Sequence, residues 1–210
     1  MTARFNARKT TRSAGATRAL GEARGRRLRP GDVVALVGAL GAGKTQLVRG
    51  ACAGAGVPAA EVSSPSFAIV ATYRGRRLPV HHADLYRIGD EDELYGTGFG
   101  DLVGGEGALL VEWADRIPGA LPEERVTLTL AHDDARPNVR HVGIEGVGER
   151  HAALAKGVAG AGSRSASKRS KRSGSRARAA SRSGSRSGSG KGSRSKPKPK
   201  PKPKPKPRSR

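Results

Sequence analysis

The sequence predicts an α/β domain: a mostly parallel sheet flanked by helices, an antiparallel strand pair added late, and a disordered basic tail behind it. Three observations carry this. Val33–Val37 is an unbroken apolar run that leads straight into Gly38-Ala39-Leu40-Gly41-Ala42-Gly43-Lys44-Thr45, the G-x-x-x-x-G-K-[ST] pattern of a phosphate-binding loop. Ala108-Leu109-Leu110-Val111 is a second short apolar run, and it closes on the acid Glu112. Residues 126–130 and 139–144 alternate apolar and polar, as half-buried paired strands do. Strand, glycine loop and helix in that order predict a P-loop NTPase-like fold, because the N-terminus of the helix completes the anion site.

The elements follow in chain order. Residues 1–10 read as a basic N-terminal extension. Residues 11–28, rich in Ala, Leu and Arg, read as a surface helix ending at the Pro30-Gly31 turn. After the first strand and the glycine loop, residues 45–55 put Leu47, Val48, Ala51 and Cys52 on one helical face. Ser63-Ser64-Pro65-Ser66 is a loop. Residues 67–73 are a strand, Arg74-Gly75-Arg76 a hairpin turn, and residues 78–82 the returning strand. Asp90-Glu91-Asp92-Glu93 opens a helix with acids, where the helix dipole favours them. Residues 151–156 form a last short helix. The domain therefore spans residues 11–156, enough for one sizeable core.

Charge is unevenly placed. The whole chain of 210 residues carries a formal +22. Residues 163–210 hold 19 basic side chains and no acid, residues 1–29 hold nine against one, and residues 30–162 are net −5. The basic character thus belongs to the ends. The tail is Ser/Arg/Gly/Lys followed by six Lys-Pro repeats over residues 196–207. It has almost no apolar surface to offset ordering entropy, so disorder is expected, with the Lys-Pro run extended. Cys52 is the sole cysteine, which excludes an intrachain disulfide and fits a reducing cytoplasm. No apolar run approaches the ~20 residues of a bilayer-spanning helix, so no membrane association is expected.

The glycine loop predicts nucleoside triphosphate binding. Gly38, Gly41, Ala42 and Gly43 turn backbone N–H groups toward phosphate oxygens, Lys44 meets the β- and γ-phosphates, and the Thr45 hydroxyl ligates Mg²⁺. Gln46, next in the helix, joins the nucleotide contacts. A triphosphatase also needs carboxylates for the metal and for water. Asp84 and Glu112 each stand where a strand delivers its end to the loop, and are assigned both roles; a cap or a surface charge is the plainer reading of each. Ser66 is read as a loop hydroxyl near the γ-phosphate, or as a turn residue. Trp113 is a core residue by habit, yet it adjoins Glu112 and so stands at the mouth of the site. His81 and His82 have no third ligand at zinc spacing, and the Asp90 cluster reads as a solvated helix start.

Four segments in order, Gly-Ala-Leu-Gly-Ala-Gly-Lys-Thr (38–45), Ser-Ser-Pro-Ser-Phe (63–67), His-Ala-Asp-Leu-Tyr-Arg (82–87) and Leu-Val-Glu-Trp (110–113), resemble the TsaE family of bacterial tRNA threonylcarbamoyladenosine biosynthesis. The resemblance spans residues 11–156. It implies a weak, Mg²⁺-dependent ATPase that works with the TsaB and TsaD proteins in modifying adenosine 37 of tRNAs reading codons that begin with A. By motif it implies Lys44 and Thr45 on phosphate and Mg²⁺, Asp84 and Glu112 on the metal and the attacking water, and Trp113 beside them. It also places Arg136 and Arg140 near the nucleotide. The family usually has Thr at the position of Ser66; the hydroxyl is kept. The tail has no counterpart in the family pattern.

Two other functions remain open on the sequence. A small-molecule P-loop kinase needs an acceptor pocket and usually an arginine-bearing lid, whereas residues 90–107 carry no Lys or Arg. Nucleic-acid binding through the tail is expected to be non-specific, since charge alone reads no sequence and the tail lacks aromatic residues for stacking. Contact with tRNA is expected to be indirect or through that tail.

Overall fold

Val33, Val34, Ala35 and Leu36 are all buried. A strand with both faces covered reads as a continuous apolar run and belongs inside a parallel sheet. The computed structural model, which describes residues 1–159, places this strand, β2 (Val33–Val37), at the centre of a seven-stranded sheet. The expected tail, 163–210, lies outside the described residues.

The strands are β1 (Arg4–Thr11), β2, β3 (Val70–Arg74), β4 (Pro79–Asp84), β5 (Ala108–Glu112), β6 (Val126–His132) and β7 (Arg140–Val147), in the spatial order β1-β7-β6-β2-β5-β4-β3. β6, β2, β5 and β4 run parallel. β3 closes one edge antiparallel to β4, and β7 and β1 extend the other edge antiparallel. The late alternating pair is β6–β7, as expected, and β6 also joins the parallel centre.

Two expectations at the N-terminus are corrected. Residues 4–11 are a strand of the sheet and not an extension outside the domain, paired with β7 from Arg4↔Val147 to Thr11↔Arg140. Phe5 and Ala7 pack on the core while Arg4, Asn6, Arg8 and Thr10 face solvent, so a strand open on one side needs few apolar residues. The helix over 11–28 is correspondingly shorter: α1 covers Ala14–Gly25. Ser13 sets its start, its side chain accepting a hydrogen bond from the Ala16 backbone N–H at 3.0 Å, the usual service of a serine cap.

The other helices are α2 (Lys44–Ala55), α3 (Glu91–Tyr95) and α4 (Glu149–Ala159). One sheet face, with Leu36, Val80, Leu110 and Leu128, is covered by α1, α2 and α4 through residues such as Leu47, Val48 and Leu154. The other, with Val33, Ala35, Ala83 and Val111, is covered by α3 and the loops carrying Leu85, Phe99 and Ile117. Each of the Val, Leu, Ile and Phe side chains among them contributes about 1.5–3 kcal/mol by leaving water. α1 and α2 meet backbone to backbone: a Cβ at Gly25 would collide with the Ala51 carbonyl. All parallel strands deliver their C-terminal ends to one edge of the sheet, the edge at which open α/β sheets hold ligands.

Candidate active site

The loop after β2 needs glycine at its last turn. Gly43 has φ 103°, left-handed backbone that a side chain resists, and it is the residue from which α2 starts. α2 therefore begins at Lys44, with its free N–H groups around the loop. Lys44 is nearly buried, and its Nζ donates to the Gly38 carbonyl at 2.6 Å and the Ala39 carbonyl at 3.0 Å. The same ammonium lies 3.7 Å from the centre of the Trp113 ring, a cation–π contact. Burial lowers the Lys44 pKa below the ordinary lysine value, and the nearby Glu112, Asp84 and Asp115 oppose that shift. Trp113 itself has φ 58°. That left-handed turn directly after β5 directs the ring back over Lys44 and against Tyr86, whose ring centre is 4.9 Å away.

The carboxylates come from adjacent strands in register. β4 and β5 are parallel, with Asp84 opposite Glu112. Both are about 3% exposed. Glu112 uses its two oxygens differently: Oε2 accepts from the Thr45 hydroxyl at 3.0 Å and Oε1 from His82 Nε2 at 2.9 Å. Asp84 Oδ2 accepts from the Ser66 hydroxyl at 2.7 Å and from the Ser64 hydroxyl, while Oδ1 accepts from the Tyr86 backbone N–H at 3.1 Å. Every charged group here has a partner, as buried charges require.

These side chains line one cavity of about 400 Å³. Of the residues singled out by sequence, Gly41, Gly43, Lys44, Thr45, Gln46, Ser66, Asp84, Glu112 and Trp113 line it. Gly38 stands behind it as the acceptor of Lys44. Ala42 and Gly41 turn their carbonyls outward to Arg140, whose Nε donates to Ala42 at 3.2 Å and Nη2 to Gly41 at 3.5 Å. Arg140 thus braces the loop from outside the cavity. Arg136 does not reach it: its guanidinium is held by Asp133 at 2.6 Å, and that contact drives the Asp133 carboxyl far below the usual range.

Sequence reasoning did not single out Leu40, Ser64 and Tyr86, which also line the cavity, and it weighed His82 only as a zinc ligand. Ser64 sits in the same short loop as Ser66. The signal for His82 was its spacing: two residues before Asp84, it shares a face of β4 with that acid.

Comparison with known proteins gives a consistent result. The family model described as Threonylcarbamoyl adenosine biosynthesis protein TsaE matches residues 11–142. The protein named tRNA threonylcarbamoyladenosine biosynthesis protein TsaE from Treponema pallidum is 41% identical over 120 residues, covering 57% of this chain and 87% of that protein. The protein of the same name from Streptomyces coelicolor is 40% identical over 140 residues, covering 64% and 93%. The crystal structure of YdiB from Bacillus subtilis superposes with a TM-score of 0.58 at 31% identity, over 75% of this chain and 95% of that one. Motifs, fold and matched span agree, and the chain belongs to the TsaE family.

Proposed function

We propose that this protein is a Mg²⁺-dependent ATPase, weak alone, that converts ATP and water to ADP and phosphate in support of threonylcarbamoyl modification of tRNA adenosine 37, working in the cytoplasm with TsaB and TsaD. The observation that carries the reading is the convergence of Lys44, Thr45, Asp84 and Glu112 on one cavity beside a phosphate-binding loop. A cavity of about 400 Å³ is of the size that ligand pockets have. No helix among the described residues is long and apolar enough to cross a membrane.

The donor set fits the cation. Thr45, Asp84 and Glu112 offer a hydroxyl and carboxylates, hard oxygens of the kind Mg²⁺ prefers, and phosphate and water supply the remainder. When bound, Mg²⁺ neutralises phosphate oxygens and draws charge toward the leaving group. The chain's own residues do the rest. Lys44 exchanges the Gly38 and Ala39 carbonyls for β- and γ-phosphate oxygens. The loop N–H groups and the start of α2 hold the phosphates. A water oxygen bonds to the γ-phosphorus as its bond to the β-bridging oxygen breaks, and Glu112 orients that water and accepts its proton. Ser64 and Ser66 hold Asp84 in place meanwhile. The lack of any Lys or Arg in residues 90–107 supports hydrolysis over a kinase, which would close a cationic lid on its acceptor.

The test has a biochemical and a cellular arm. Purified protein should release phosphate from ATP without any acceptor, and faster with TsaB–TsaD present. A strain depleted of it should lose threonylcarbamoyladenosine from its tRNA. Normal modification in the depleted strain would refute the assignment. Contact of tRNA with the basic tail is a separate expectation: affinity of the full chain for tRNA should fall steeply with salt.

A further inference from the structure

We propose that His82 is the positioning residue for Glu112: its imidazole holds one carboxylate oxygen fixed so that the other can leave Thr45 and take up the attacking water. The inference rests on the ATPase reading above.

The geometry begins in β4. Alternation along the strand puts His82 and Asp84 on one face, and the parallel register sets Asp84 opposite Glu112 and His82 opposite Leu110. One strand therefore supplies both an acid of the site and the group beneath the other acid. His82 is fully buried and Glu112 is 3% exposed, so water cannot substitute for their 2.9 Å contact. The carboxylate accepts, so Nε2 carries the proton. Nδ1 is buried with no hydrogen-bond partner among the described residues. The bond to Glu112 is thus the ring's one hydrogen bond among the described residues.

The two oxygens of Glu112 then differ in what ligand binding does to them. Oε2 accepts a hydrogen bond from Thr45 Oγ1 at 3.0 Å. On the proposed reading Oε2 exchanges this hydrogen bond for one to the attacking water, while the Thr45 oxygen would offer a lone pair to a cation. The bond from His82 is made to the other oxygen, Oε1, and survives the exchange. Without it, a carboxylate freed from Thr45 rotates about its own side chain, and the water it serves loses its fixed acceptor. Partners of this kind, one bond behind the reacting group, commonly change activity ~10–100-fold when removed.

A purely structural histidine would satisfy a buried acid equally well, so the test separates the two roles. In the full-length, nucleotide-free protein, ¹H–¹⁵N spectra of the histidine rings should show His82 protonated at Nε2 and bare at Nδ1. His82→Leu should cut kcat for ATP at least ~10-fold with KM changed by less than about twofold. His82→Gln, whose amide N–H can reach the same oxygen, should recover most of that loss. In a Glu112→Gln background, His82→Leu should cost nothing further, because the group it positions is already disabled. An Nδ1-protonated ring, wild-type turnover in His82→Leu, equal losses in the Leu and Gln variants, or additive losses in the double variant would each overturn the proposal. Should His82→Leu not fold, an Nδ1-protonated ring still overturns the proposal, as does a His82→Gln variant that folds yet loses as much turnover as Glu112→Gln. If wild-type protein hydrolyses no ATP, with or without TsaB–TsaD, the ATPase reading fails, and the ring spectrum still judges the contact.

Discussion

Around the phosphate-binding loop, the buried ionisable groups Lys44, His82, Asp84 and Glu112 each have hydrogen-bond partners. On α1, Arg24 is equally buried, beside Leu20 and Thr17 on the helix face, and none of its guanidinium nitrogens has a hydrogen-bond partner among the described residues. The first region uses bonds that ligand can replace: loop carbonyls for Lys44, a threonine hydroxyl for Glu112, serine hydroxyls for Asp84. The second is a charge with nothing to exchange. Burial alone pulls the Arg24 pKa down to about 9. The contrast separates two kinds of buried charge, one whose partners can be exchanged and one without such partners among the described residues.

The comparison can be broken at either end. The largest effect is expected for Lys44→Ala, which should abolish measurable ATP binding because, on the proposed reading, the β- and γ-phosphates would lose the one buried cation that lines the cavity among the described residues. Calorimetric titration checks it, and wild-type affinity would remove the P-loop reading. The opposite sign is expected for Arg24→Met. Replacing a buried charge with an apolar side chain of similar length should stabilise the fold by ~1–4 kcal/mol and leave ATP turnover alone. The sign with pH is fixed: Arg24 is easier to deprotonate folded than unfolded. Its penalty is therefore full below about pH 9 and fades as pH rises toward the unfolded value. The gain from Arg24→Met, read by denaturant unfolding, should be larger at pH 7 than at pH 10. A loss of stability instead would mean that the guanidinium has a partner in solution.

Smaller effects sharpen the first region. Glu112→Gln keeps shape and removes charge, and hydrolysis should fall at least ~10-fold while nucleotide still binds; Asp84→Asn should reduce turnover too. Unchanged rates in both would end the two-carboxylate account. Ser66→Ala removes one of the donors to Asp84 but leaves Ser64 and the Tyr86 N–H. Its cost should be only about 1 kcal/mol, a rate change of severalfold, measured against Ser64→Ala and the double variant. A double variant no worse than either single one would show that the hydroxyls do not hold Asp84.

Much of this was legible in the chain itself. β2, the loop and α2 are written in contiguous residues, the β3–β4 hairpin announces itself by its Arg74-Gly75-Arg76 turn, and the β6–β7 pair by alternation. Asp84 and Glu112 stood out because each closes a strand that points toward the loop. What escaped was non-local. The bond between His82 and Glu112 depends on the register of two strands whose residues lie 30 apart, and no spacing rule encodes it. β1 escaped because only Phe5 and Ala7 of its inward side chains are apolar, so its period was masked by Arg and Lys. Arg136 stands apart from the cavity, its charge taken locally by Asp133, three residues away.

The pairing of β1 with β7 also sets an order of assembly. Arg4 lies opposite Val147, so the first strand made on the ribosome must wait for nearly the last. At the usual pace of synthesis the wait is on the order of ten seconds. β2 has a shorter wait for β5, and α1 and α2 can dock as soon as both emerge. The centre of the sheet can thus form around the glycine loop while residues 4–11 have no β-partner. Ribosome-bound chains arrested between β6 and β7 should bind nucleotide weakly, yet remain open to protease cleavage after Arg4, Arg8 and Lys9. Protection of those sites before β7 has emerged would show that the N-terminal segment finds another place to rest.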